Sequence, residues 1–138
     1  MRFFLCLLLM LGLTSCQSRE EKNGLMAKGC EAAAQGLMAN SEDQIDSISA
    51  QTFSNSTYGS GYKSVELKAN LMRDGYLEDE NIECIFYENE GPFGIGYSAE
   101  FIHISFDGND IGKDVDGNIK GGINDFMSIT DSVGKATR

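Results

Sequence analysis

Tryptophan is absent from this chain, histidine and proline occur once each, and only 11 Lys and Arg stand against 21 Asp and Glu among 138 residues. Each shortage excludes something. A net charge of −10 argues against nucleic acid as a partner, because neutralising phosphates requires a Lys/Arg surface. With His103 alone, no mechanism that needs two imidazoles is available. Carboxylates for glycoside chemistry are numerous, but such enzymes are normally larger and line their cleft with aromatics, so the lack of Trp counts against them. No apolar run reaches the ~20 residues that a helix across a ~30 Å hydrocarbon core requires. What is present is enough for a fold. At 41% hydrophobic the chain is not a disordered one, and its length suits one domain with a real core.

The N-terminal segment reads as an address. Met1-Arg2 precedes an apolar run from Phe3 to Leu13, then Thr14-Ser15-Cys16. One positive charge and a short apolar run fit a secretory signal. Leu13-Thr14-Ser15-Cys16 resembles the lipobox of bacterial lipoproteins, in which Leu, a small or neutral residue and Gly, Ala or Ser precede a Cys. That resemblance spans residues 1 to about 17. It implies removal of a signal peptide, residues 1–15, and acylation of Cys16 on its sulfur and its new amino group. The membrane is then a partner through the anchor, since two or more acyl chains give stable attachment. In enterobacteria-like members an Asp after the Cys retains the protein at the inner membrane. Gln17 in that place implies the outer membrane, facing the periplasm. Residues 16–24 follow as the lipidated Cys and a polar, aperiodic tether. Residues 25–138 form a single domain.

With Cys6 in the signal and Cys16 acylated, Cys30 and Cys84 remain. An exported compartment permits disulfides, and two thiols in such a domain most simply pair. Two buried free thiols are the other arrangement. A catalytic Cys84 is disfavoured, because Glu80, Glu83, Glu88 and Glu90 raise a nearby thiol pKa.

The hydrophobic pattern predicts an α+β fold: an N-terminal helix, a four-stranded antiparallel meander and a short C-terminal helix. Leu25, Met26, Cys30, Ala33, Ala34, Leu37 and Met38 share one helical face. Alternation then predicts strands over Ile45–Phe53, Tyr62–Met72, Ile82–Tyr87 and Tyr97–Phe106. In the last of these, Ile102, Ile104 and Phe106 should share a face. Residues 73–81 read as an acidic loop, 89–96 as a turn, and 107–122 as a Gly- and Asp-rich loop. Ile123, Phe126, Met127, Thr130 and Val133 have helical spacing.

Residues 74–112 hold ten carboxylates and no Lys or Arg. They keep the domain soluble, or they form a docking surface for a basic protein or a cation. Asp114-Val115-Asp116-Gly117-Asn118 and Asp125 resemble half of an EF-hand or dockerin calcium loop. Those loops take oxygens at positions 1, 3, 5 and 12, here Asp114, Asp116, Asn118 and Asp125. Ile119 stands where they carry Gly. The resemblance implies a bound Ca²⁺. The plainer reading is an acidic turn before the last helix, with Asn124 as its N-cap. The turn Gly91-Pro92-Phe93-Gly94-Ile95 carries two apolar side chains among acids, a pattern that suits a protein contact and equally suits side chains tucked under the sheet.

Tyr58-Gly59-Ser60-Gly61-Tyr62-Lys63 resembles the Ser-Gly-x-Lys-Tyr stretch of the membrane-bound inhibitors of c-type lysozyme, with Tyr and Lys in reversed order. Those inhibitors are also small lipoproteins. The resemblance implies inhibition of a basic hydrolase. The reading that follows from the residues is a lipid-anchored envelope protein with a small non-enzymatic binding or structural domain. It needs no cofactor, unless the Asp114–Asp125 loop holds calcium.

Overall fold

The computed structural model describes residues 17–92 and 96–138. The signal segment, Cys16, Phe93 and Ile95 lie outside the described residues.

Helix α1 spans Arg19–Met38 and starts earlier than the apolar pattern predicts. Ser18 is its N-cap: the Glu21 N–H donates to Ser18 Oγ, and the Ser18 N–H donates to Glu21 Oε2. This reciprocal Ser-x-x-Glu box satisfies two donors that a helix end otherwise leaves open. Ion pairs then hold the first turns down, Arg19 to Glu88 at 2.7 Å and Lys22 to Glu90. The expected tether over residues 16–24 is therefore corrected from Arg19 onward. Polar composition marked it as linker, but its spacing is that of a capped helix.

Six strands follow, not four: β1 Gln44–Asn55, β2 Tyr62–Arg73, β3 Tyr76–Glu90, β4 Tyr97–Phe106, β5 Asn109–Lys113 and β6 Ile119–Lys120. They pair in chain order as an antiparallel meander. The expected loop at 73–81 is a hairpin. Arg73 pairs with Tyr76 and Phe106 with Asn109, leaving Asp74-Gly75 and Asp107-Gly108 as two-residue turns. All four turn residues have positive φ, between 50° and 83°. Asp-Gly at such a turn is the type I′ signal, whose twist matches the flanking strands. At the open edge, β1 is irregular in register between Ile45 and Ser47 and between Ile48 and Ala50. Such bulges blunt an edge against pairing with other chains.

Both helices cover one face of the sheet. Helix α1 places Met26, Cys30, Ala33 and Ala34 on Val65, Leu67, Ile82 and Ile104, all fully buried. The Cys30 and Cys84 sulfurs are 2.02 Å apart, and their Cα atoms 5.6 Å, so a disulfide joins α1 to β3. Helix α2, Ile123–Ala136, adds Ile129 and Val133 to this core. Its expected apolar face is narrower than the spacing implied, because Ile123 and Met127 are exposed. Its N-cap is Gly122, not Asn124.

Strand β4 departs from simple alternation. Ile85 pairs with His103 but Phe86 pairs with Phe101, so Ile102 is an extra residue without a partner. This bulge shifts the phase of the strand. Phe101 joins Ile104 and Phe106 in the core, its ring 5.9 Å from Phe86 and 6.0 Å from Phe126. Ile102, expected on that face, is not part of this core cluster, although it is still buried.

Candidate functional site: a tyrosine cleft on the uncovered face

Alternation puts Tyr62 and Ser64 of β2, Glu83, Ile85 and Tyr87 of β3, and His103 and Ser105 of β4 on the sheet face turned away from the helices. Ser64, Ile85 and His103 are buried there all the same. Part of their cover comes from the β1–β2 loop. The Tyr58 N–H donates to Ser56 Oγ at 3.2 Å, which turns the loop, and the Tyr58 ring lies 6.3 Å from the His103 ring and 5.9 Å from Tyr62. Tyr62 and Tyr87 are register partners with ring centroids 4.9 Å apart. Gly61, at φ +83°, is what lets Tyr87 close on this loop, since a Cβ there would meet the ring at 2.8 Å. Gly112 in β5 is equally constrained: a Cβ would sit 2.2 Å from the Ile102 carbonyl oxygen, where the bulge brings two backbones together.

The result is a cleft of about 320 Å³ lined by Tyr58, Tyr62, Tyr87 and Ile102 together with Glu100, Lys113, Asp114 and Val115. Its electrostatics are negative. The Tyr58 hydroxyl pKa is raised, first by burial and then by Asp114, Asp110 and Glu83. Asp110 is held below the usual carboxylate range, chiefly because the Ser105 hydroxyl donates to it at 2.7 Å. His103 Nε2 lies 3.5 Å from the same Asp110 oxygen, and its buried Nδ1 has no hydrogen-bond partner among the described residues.

Ser105, Asp110 and His103 are the residue types of a hydrolytic triad in the wrong order. Activating a serine requires the imidazole between hydroxyl and carboxylate. Here the carboxylate stands between them, so the serine proton is directed to Asp110.

The acidic stretch is partly neutralised from outside. Arg73 lies within 3.1–3.7 Å of Glu78, Glu80 and Asp107 and 3.3 Å from Asp43. Glu88 and Glu90 hold Arg19, Lys22 and Lys63. Of the ten carboxylates of residues 74–112, Glu78, Glu80, Glu88, Glu90 and Asp107 are thus paired with these cations. A larger hollow, about 520 Å³, opens between the α1 C-terminus, α2 and the β4–β5 turn. Of its acids, Asp43 and Asp107 are already engaged by Arg73.

The residues of the calcium-like loop are placed but not assembled as a cage. Asp114, Asp116 and Asn118 form the turn between β5 and β6, not a loop between two helices. Asp114 Oδ1 accepts the Asp116 and Asn118 N–H groups at 3.0 and 2.9 Å, and these bonds, that from Asn118 foremost, hold its pKa down. Asp125 belongs to the first turn of α2. Among the described residues no three His, Cys, Asp or Glu side chains converge in a way that could hold a metal ion. Millimolar calcium is therefore expected to leave the Tm unchanged in a thermal melt. Filling a site to a hundredfold its Kd would add about 2.7 kcal/mol, so a rise of several degrees would restore the calcium reading.

The sequence reading missed the cleft because its tyrosines are dispersed. The one usable signal was the pair Tyr58 and Tyr62 flanking a glycine turn. Among the described residues no helix is long and apolar enough to cross a membrane. No protein-family model matches this chain, and no curated protein or solved structure is significantly similar to it.

Proposed function

We propose that this chain is a lipid-anchored protein of a bacterial cell envelope whose domain is a non-catalytic binding module. Its anchor is Cys16, its station the outer membrane facing the periplasm, and its binding surface the tyrosine cleft. The observation that carries the binding reading is the uncovered sheet face, where a bulge at Ile102 and a glycine at position 61 shape a tyrosine cleft. Aromatic side chains gathered on an exposed face are the usual composition of a protein-contact centre. The bridge between Cys30 and Cys84 agrees with export to an oxidising compartment. The order of Ser105, Asp110 and His103 supports binding over hydrolysis.

The anchor also constrains where the cleft sits. Arg19 begins α1 only three positions after Cys16, and at most ~3.6 Å per residue allows a span of about 11 Å. Arg19 pairs with Glu88, the neighbour of Tyr87. The cleft thus lies at the anchored end of the sheet, close to the bilayer and on the face away from the helices.

Crosslinking in intact envelopes tests this. A photoreactive phenylalanine at exposed position 87 is expected to trap a discrete protein adduct. The same group at exposed Asp131 on α2 is expected to give none. Equal trapping from both positions, or from neither, removes the cleft as the binding surface.

One observation also favours the inhibitor reading as a second possibility: Tyr58 and Tyr62, the tyrosines of the segment that resembles lysozyme inhibitors, line the cleft. The described residues form a six-stranded sheet with two helices, not the all-β barrel of those inhibitors. Undiminished turnover of a c-type lysozyme in excess protein would remove this reading.

A further inference from the structure

Resting on the binding reading above, we infer that the cleft between Tyr58, Tyr62 and Tyr87 receives an arginine side chain of a basic protein partner. The walls supply both halves of what a guanidinium needs. Tyrosine faces attract a cation through their ring quadrupole, and carboxylates at the mouth provide charge and hydrogen-bond acceptors. Arginine fits better than lysine, because its flat, weakly hydrated head stacks on rings and pairs with carboxylates as a fork.

Three features of the molecule support this. Glu100 and Asp114 line the cleft beside the three rings, and Asp114, Asp110 and Glu83, after burial itself, raise the Tyr58 hydroxyl pKa, so the rings stand among carboxylates. The cation that lines the cleft is loosely held: Lys113 lies 3.8 Å from Glu100, with side chains 43% and 61% exposed. An incoming guanidinium can take Glu100 from it at little cost, since exposed pairs contribute little. The same fold already holds a cation in this manner on its other side, where Lys22 pairs with Glu90 and lies 5.1 Å from the Tyr97 ring centroid. A second copy of this chain is disfavoured as the occupant, because two acidic clefts brought face to face repel.

The test is a titration of the full chain, as isolated in detergent micelles, with acetyl-Gly-Arg-Gly-amide, read by the ring NMR signals of its labelled tyrosines. Saturable shifts are expected at Tyr58, Tyr62 and Tyr87, with smaller or no shifts at Tyr76. The citrulline peptide, neutral and nearly isosteric, is expected to bind at least tenfold more weakly, since a charged partner matters most where potential is concentrated. Tyr87→Ala and Glu100→Gln should each weaken the arginine peptide roughly three- to tenfold. Both positions are partly exposed, and the wild-type comparison of the two peptides stands even if a variant misfolds. Equal binding of the citrulline peptide, or no saturable shift in the three rings, overturns the inference. So does concentration-dependent dimerisation through this face. If crosslinking from position 87 still traps a partner while arginine fails to bind, the binding module stands and the arginine assignment falls. If arginine binds but position 87 traps nothing, the pocket chemistry stands and the envelope-binding reading falls.

Discussion

Removing the disulfide, as Cys30→Ala with Cys84→Ala, is expected to lower stability by about 4 kcal/mol, the loop-entropy value for a closed loop of this length. The bridge joins residues 54 apart, and both cysteines are fully buried between α1 and β3. Without it the unfolded chain regains the freedom that the loop removed, and the core loses sulfur contacts that two methyl groups do not replace. For a domain of about this size the loss corresponds to a drop in Tm of roughly 15 °C, and the total stability of such domains is only about 5–15 kcal/mol. Helix α1 should fray first, because packing and ion pairs are then what hold its face against the sheet. Circular dichroism melts of both forms measure the effect. Free-thiol counting on denatured, unreduced exported protein checks the premise: no thiol from this pair is expected, and two alkylated cysteines would leave α1 held by packing and ion pairs alone.

Cys16→Ala is expected to abolish acylation and to move the protein from the membrane to the soluble fraction. Each buried acyl CH₂ contributes about 0.8 kcal/mol, so losing whole chains changes partitioning by many orders of magnitude. The domain should be unaffected, with a stability change within about 0.5 kcal/mol, because the capping box at Ser18 and the Arg19–Glu88 pair begin beyond the substituted residue. Radiolabelled palmitate read alongside a thermal melt separates the two effects. Label entering the variant would show that the lipid is attached elsewhere. Unlabelled protein that also fails to melt cooperatively would show that residue 16 contributes to folding.

Sequence reasoning succeeded where the signal was local and periodic. The buried face of α1, from Met26 through Cys30 to Ala34, follows from a 3.6-residue period. The inward set Val65, Leu67, Ala69 and Leu71 of β2 follows from strict alternation. Cys30 and Cys84 stand at disulfide distance, the pair that counting singled out. Two further features were legible but missed. Asp74-Gly75 and Asp107-Gly108 are hairpin dipeptides, and weighing them would have extended β3 back to Tyr76 and found β5. Ser18-x-x-Glu21 is a helix start, hidden because the polar composition before the first apolar residue suggested a linker.

By itself, then, the sequence determined the α+β class, the meander, the core faces of α1 and β2, and a cysteine pair placed to meet in the core. Each of these depends on neighbours within a few residues or on a count. Only the tertiary structure decided the rest. The bulge at Ile102 arises from pairing with a strand about 17 residues away in the register, and it exchanges Phe101 for Ile102 in the core. The cleft exists because that register sets Tyr62 against Tyr87, while the β1–β2 loop brings Tyr58 over His103. The acidic stretch is partly neutralised by Arg73 of β2 and by Arg19 and Lys22 of α1. Contacts of that kind leave no local pattern, because what selects them is the geometry of strand pairing and not the order of residues along the chain.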